Sequence, residues 1–158
     1  MSVVSSSIVI DAPVDQVYAL VSDITRTGEW SPECARCRWL DGATSAMEGA
    51  RFRGTSRNGW RRWSTTSTIR TAGAEAGLTW DVTYLGRPVA RWRYGFEPLA
   101  DERTRLTESV ADQRERWLRL VSPWITGFRD RAARNTDSID TSLERIKAIA
   151  EHAPRPAR

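Results

Sequence analysis

The residue best suited to chemistry in this chain is a glutamate on the inward face of a strand. From Arg103 to Ala111, Thr104, Leu106, Glu108 and Val110 alternate with arginine, threonine and serine, and a period of two places those four on one face. Leu106 assigns that face to the interior, and Glu108 goes with it. A carboxylate there must be paired, hydrated in a cavity, or protonated. Two roles follow. Glu108 either forms an ion pair, with Arg131 the available partner, or serves as polar anchor or general acid/base for a bound ketone or hydroxyl.

The same phasing brings further polar groups inward. Val89 to Phe96 alternates Trp92, Tyr94 and Phe96 with Arg91, Arg93 and Gly95. Tyr94 is thus an inward phenol able to polarise a carbonyl or to fill core space with one bonded oxygen. Trp63 and Ile69 set the phase of their strand and carry Thr65 and Ser67 with them. The next strand turns Leu78, Trp80, Val82 and Tyr84 inward. Asn135 interrupts an apolar helical stripe, where it either bonds a neighbour or joins a cavity wall. Trp80 and Trp92 are core or cavity lining, and Trp30, in the Glu29–Glu33 loop, is placed to flank an entrance. Phe52 and Phe128 complete the expected ligand-contacting set.

Cys34 and Cys37 form a C-x-x-C spacing, but the only histidine, His152, lies in a proline-rich tail and no second cysteine pair exists. A four-ligand zinc site cannot be assembled from these residues. On a strand, residues three apart face opposite ways, so two structural or surface thiols in a reducing compartment are expected. Neither a metal nor a cofactor is expected. No stretch approaches the ~20 apolar residues of a membrane span, the N-terminus carries no basic-then-apolar signal, and a cytoplasmic location is expected.

These groups are positioned by a legible run of elements. Val3–Ile10 is β-branched and serine-rich, a first strand. Val14, Val17, Tyr18 and Val21 form one helical face behind Pro13, and Asp23 caps a second short helix ending at Gly28. Six strands follow: Cys34–Leu40, Ala50–Arg57, Arg62–Thr71, Leu78–Tyr84, Val89–Leu99 and Arg103–Ala111. Turn signals separate them, Asn58-Gly59 most clearly, and neighbours this close must be antiparallel. Ser122-Pro123 reads as an N-cap with proline at the first helical position. Phe128, Ala132, Asn135, Ile139, Leu143, Ile146 and Ala150 then recur every three or four residues, predicting one amphipathic helix of about 40 Å that Gly127 bends or breaks near its start. Residues 1–151 read as a single domain and 152–158 as a flexible tail. The expected class is α+β: a curved seven-stranded antiparallel sheet wrapped around the long C-terminal helix, with two short helices after the first strand.

Net charge is +4, and Lys147 is the only lysine. Arg51, Arg53, Arg62, Arg70, Arg91, Arg93, Arg103 and Arg105 share the outward phase, with Asp81 and Glu97 as cross-strand partners. Single-strand nucleic-acid binding wants aromatics among such arginines, and here they fall on the opposite face. Nucleic acid is therefore not the expected partner. Trp117, Leu120, Val121 and Trp124 alternate with Arg114, Arg116 and Arg119. That mixture suits transient membrane-surface contact or a gate, or else a short helix packed on the sheet edge. Oligomeric state is not legible.

This order resembles the helix-grip fold of the START-like, or SRPBCC, superfamily, in particular its polyketide cyclase/dehydrase-like branch. The resemblance is carried by Ile8-Val9-Ile10-Asp11-Ala12-Pro13-Val14-Asp15-Gln16-Val17-Tyr18, Trp30-Ser31-Pro32-Glu33, Gly49-Ala50-Arg51-Phe52, Trp92-Arg93-Tyr94-Gly95-Phe96-Glu97-Pro98 and Thr104-Arg105-Leu106-Thr107-Glu108-Ser109. It implies a hydrophobic cavity between sheet and long helix, entered near the short helices and hairpin loops. The expected function is binding or transport of a small hydrophobic ligand (lipid, polyketide-like or isoprenoid). Alternatives are a metal-free aromatase/cyclase or dehydratase using Glu108 or Tyr94, and a regulatory or toxin-like protein acting through its basic face on RNA or acidic lipid. No cavity histidine is available as a neutral-pH base, which weighs against the enzyme.

Overall fold

The computed structural model describes residues 3–154. Seven strands form one antiparallel sheet: β1 (Val3–Ile10), β2 (Cys34–Trp39), β3 (Arg51–Asn58), β4 (Arg61–Gly73), β5 (Gly77–Tyr84), β6 (Arg87–Leu99) and β7 (Arg103–Asp112). Their spatial order is β1-β7-β6-β5-β4-β3-β2, so hairpins link β2 through β7 while β1 closes onto β7. Between β1 and β2 lie α1 (Val14–Ser22) and a 3-10 helix (Ile24–Glu29) whose first turn is capped by the Asp23 carboxylate. Two helices follow the sheet, α2 (Arg116–Thr126) and α3 (Arg131–His152). The architecture is the α+β helix-grip arrangement, with α3 clasped by the sheet.

Alternation predicts the inner face correctly at the residues that matter most for the cavity. Thr104, Leu106, Glu108 and Val110 are all buried, as are Ser67, Ile69, Leu78 and Tyr94. On the convex side Asp81 accepts from both Arg70 (2.8 Å) and Arg91 (2.6 Å), and Glu97 pairs with Arg105 at 2.7 Å. The arginine face is thus partly neutralised by its own carboxylates.

The C-terminal segment is two helices rather than one. Ser122 and Pro123 do not start a helix. They lie inside α2, because Leu118, Ser122 and Thr126 recur at helical spacing and are buried together. Proline costs only one intrahelical bond so near the end of a helix. The stop is Gly127, whose φ of 80° suits an achiral residue and whose N–H donates to the Pro123 carbonyl at 2.8 Å. A Cβ there would come within 2.8 Å of Asn58 Nδ2, the group that donates to the Thr126 carbonyl.

With its start moved to Arg131, α3 has 22 residues and spans about 33 Å. Its apolar stripe is shorter than expected: Ala132 is exposed and Phe128 precedes the helix. The buried face comprises Asn135, Ser138, Ile139, Ser142, Leu143, Ile146 and Ala150. Its C-terminal half is apolar and fills the core. Its N-terminal half is small and polar, and there the sheet has nothing large to close on. His152 belongs to α3, its Nδ1 lying 2.6 Å from the Ala148 carbonyl, so the expected tail begins later than 152. Residues 155–158 of that tail lie outside the described residues. No helix among the described residues is long and apolar enough to cross a membrane.

Candidate functional site: a cavity between the sheet and the last helix

The space left beside the polar half of α3 is a cavity of about 170 Å³. A cavity of roughly 150 Å³ holds one benzene ring, so this one suits a small guest. Trp30, Phe52, Thr65, Ser67, Trp80, Trp92, Tyr94, Glu108 and Asn135 all line it. Phe128 does not. It sits in the α2–α3 connection with the guanidinium groups of Arg131 and Arg134 over its ring, 5.7 and 4.7 Å from the centroid. Trp30 is not an exposed gatepost either. Only 1% of it is accessible, and it forms part of the wall.

Glu108 and Tyr94 are partners in the β6–β7 register, so both project from adjacent strands toward the same space. The Tyr94 hydroxyl donates to Glu108 Oε1 at 3.3 Å. Glu108 Oε2 is buried without a hydrogen-bond partner. Burial pushes the Glu108 carboxyl up to about 8, with the Tyr94 hydrogen bond opposing. At neutral pH the group is therefore mainly the uncharged acid, a donor as well as an acceptor. Burial and the facing Glu108 drive the Tyr94 phenol well above its ordinary range, with the Trp30 side chain opposing, so it stays protonated. Stacked indoles of Trp80 and Trp92, 6.4 Å apart at 11°, form an aromatic wall beside them.

The ion pair offered for Glu108 does not form. Arg131 Nη2 instead donates to Glu33 Oε1 at 2.9 Å, and Arg134 Nε lies 3.9 Å from Glu33 Oε2. The geometry is set by α3: both arginines occupy its first turn, where Glu33 meets them. A second pair, Arg114 Nη2 to Asp112 Oδ2 at 2.7 Å, also lines the cavity, and Arg114 Nη1 donates to Ser122 Oγ.

Strand alternation also misplaces the thiols. Cys34 Sγ and Cys37 Sγ lie 3.2 Å apart on the same face, both lining the cavity opposite Gly54. The cause is a bulge. Cys34 pairs with Ser56 and Arg36 with Thr55, so Ala35 is an extra residue that reverses the phase. Gly28 permits it, since a Cβ there would stand 2.8 Å from the Ala35 carbonyl oxygen. The hydrogen bond between the thiols splits their acidities, with Cys34 pushed up and Cys37 lowered. Ser138 and Ser142 also line the cavity. Their spacing from Asn135 places them on one helical face, a signal present in the sequence but obscured by the apolar stripe.

A curved sheet gripping a C-terminal helix over a lined cavity defines the START-like class of ligand-cavity proteins. The chain belongs to the polyketide cyclase/dehydrase and lipid transport family, whose model matches residues 1–151. A polyketide-cyclase-like protein of Corynebacterium glutamicum is 36% identical, with 94% of this chain and 91% of that one covered and a TM-score of 0.58. A START superfamily protein of Mycobacterium smegmatis is 13% identical over 94% of each chain, with a TM-score of 0.62. The di-domain ARO/CYC BexL from the BE-7585A biosynthetic pathway is 19% identical with a TM-score of 0.64. The match takes 94% of this chain but only 46% of BexL, so this chain spans about half of that protein's length. A search of curated protein sequences returns no match.

Proposed function

We propose that the protein binds a small hydrophobic molecule carrying a ketone or hydroxyl, with the apolar body against Trp80, Trp92 and Phe52 and the oxygen on Glu108. The observation that carries this reading is the unpartnered Glu108 Oε2 on a largely neutral carboxyl inside the cavity. A buried donor or acceptor without a partner is costly, and a ligand oxygen satisfies it. Tyr94 holds the carboxyl in place through Oε1, while Thr65, Ser67 and Asn135 offer secondary contacts. Burial of apolar surface supplies the affinity and the few polar groups set orientation. The family description, which couples polyketide chemistry with lipid transport, supports a ligand of this class.

The second reading is catalysis. A carboxyl poised at about 8 can deliver or accept a proton near neutral pH, and the fold likeness to an ARO/CYC protein favours a cyclase- or dehydratase-type step. Surface action on RNA has less support, because Asp81 and Glu97 already engage part of the basic face.

Native mass spectrometry of protein purified from its own host tests the binding reading. A retained small hydrophobic mass, weakened in Glu108→Gln, is expected. An empty protein, or retention indifferent to that substitution, counts against it. Turnover of a polyketide mimic that is abolished in Glu108→Gln moves the reading to the enzyme.

A further inference from the structure

We propose that the cavity selects a ligand with an anionic head group, a carboxylate or a phosphate, held by Arg131 and Arg134 at the first turn of α3. The inference rests on the ligand-binding reading above and names the class of ligand.

One carboxylate serves two guanidinium groups at this point. Arg131 Nη2 takes Glu33 Oε1 at 2.9 Å, whereas Arg134 Nε is 3.9 Å from Glu33 Oε2, beyond hydrogen-bond reach. Arg131 Nη1 and Arg134 Nε are both buried without a hydrogen-bond partner. Donors on charged groups are the costliest to strand. The cluster therefore holds two buried nitrogens whose N–H groups are unused, with Arg131 on the cavity wall.

The Glu33 pair and the Phe128 contact account for only part of the arrangement. Cations at a helix N-terminus oppose the macrodipole, and the first turn of α3 holds no acidic residue. The nearby Asp130 carboxylate is engaged as N-cap by the Ala133 N–H. Arg114, the other cation on the wall, is already saturated by Asp112 and Ser122. The unused donors thus lie at Arg131 on the wall and at Arg134 beside it. Phe128, stacked under both guanidinium groups, orients them without touching the cavity. An arginine fork so placed matches carboxylate or phosphate oxygens. With Glu108 as a neutral contact elsewhere on the wall and indoles lining the same space, the cavity is complementary to an amphiphile that is anionic at one end.

Two small fluorescent dyes of nearly identical apolar body separate the head group from the cavity: neutral 1-naphthalenemethanol and anionic 1-naphthoate. The anionic dye is expected to bind about tenfold more tightly, the size of one charge-assisted hydrogen bond. Arg131→Gln and Arg134→Gln should each shrink that preference several-fold while affinity for the neutral dye, which also reports an intact fold, stays unchanged. Competition by octanoate and octyl phosphate then tells carboxylate from phosphate, and either winning over octan-1-ol supports the proposal. Equal affinity for the two dyes in the unaltered protein, or a preference that survives both substitutions, overturns it. Failure of the neutral dye to bind the unaltered protein overturns the cavity reading itself.

Discussion

Tyr94 and Glu108 face each other across the β6–β7 ladder, phenol to carboxyl at 3.3 Å, with the second carboxyl oxygen left unpartnered. Two acidic groups cannot both ionise in so small a space, and burial keeps each of them protonated at neutral pH. The pair therefore meets as hydrogen-bonding groups rather than as charges at neutral pH, and its protonation enters the stability of the fold.

The first consequence is a pH dependence of stability. In the folded protein Glu108 titrates near 8, against 4.5 for an ordinary glutamate. Between those values the native state holds a proton that the unfolded chain has released, so stability falls as pH rises through the window and levels off above it. Below about 4.5 both states are protonated and the contribution vanishes. The full penalty is roughly 3–5 kcal/mol. Asp81, held low by Arg91 and Arg70, acts in the opposite sense and only at more acid pH. Thermal unfolding of the ligand-free protein from pH 5 to 9 should show the decline, and Glu108→Gln should flatten it. A native protein whose midpoint holds level from pH 6 to 8.5 rules this out.

Tyr94→Phe removes the hydrogen bond to Oε1 and leaves the carboxyl wholly unpartnered. The Tyr94 bond opposes the upward shift of Glu108, so its loss should carry the Glu108 titration higher still. A stability loss of about 1–2 kcal/mol is expected at neutral pH. Chemical denaturation gives the stability. Carboxyl NMR gives the titration, and a midpoint that moves down contradicts the assigned roles.

Gly127→Ala tests the break between α2 and α3. The residue has a φ of 80°, and an added methyl would press on Asn58 Nδ2 at 2.8 Å. A cost of about 1–3 kcal/mol is expected. Urea unfolding measures it, and a neutral substitution would mean that the connection is not so constrained.

At the β3–β4 hairpin tip, Trp60 is 83% exposed, as is Trp124 on α2. Arg61 links them, its guanidinium over the Trp60 ring at 4.6 Å and its Nε donating to the Trp124 carbonyl. Two exposed indoles beside arginine suit the interface of an anionic bilayer. Co-sedimentation with phosphatidylglycerol vesicles should be measurable and should drop several-fold in the Trp60→Ser, Trp124→Ser double variant. Equal binding by neutral phosphatidylcholine vesicles, or no loss in the variant, speaks against membrane contact.

Much of the fold was legible because a period of two is a local property. Once Leu106, Ile69 and Leu78 mark the inner face, Glu108, Ser67 and Trp80 follow without knowledge of any partner strand. The same logic placed Asp81 and Glu97 among the arginines they engage. Helix α1 and the Asp23 cap were legible for a similar reason, since spacing and capping chemistry act within one turn.

Tertiary structure decided what depends on contacts between distant segments. The Ala35 bulge, accommodated by Gly28, brought Cys34 and Cys37 together against the expectation from strand phase. Arg131 turned to Glu33 rather than to Glu108, because the position of α3 over the sheet, and not sequence spacing, sets which charges meet. Pro123 sits inside a helix because the buried face of Leu118, Ser122 and Thr126 outweighs one lost hydrogen bond. The cavity belongs to the same category. Ser138 and Ser142 look unremarkable in a helix, and they leave a void only where the curving sheet fails to follow them.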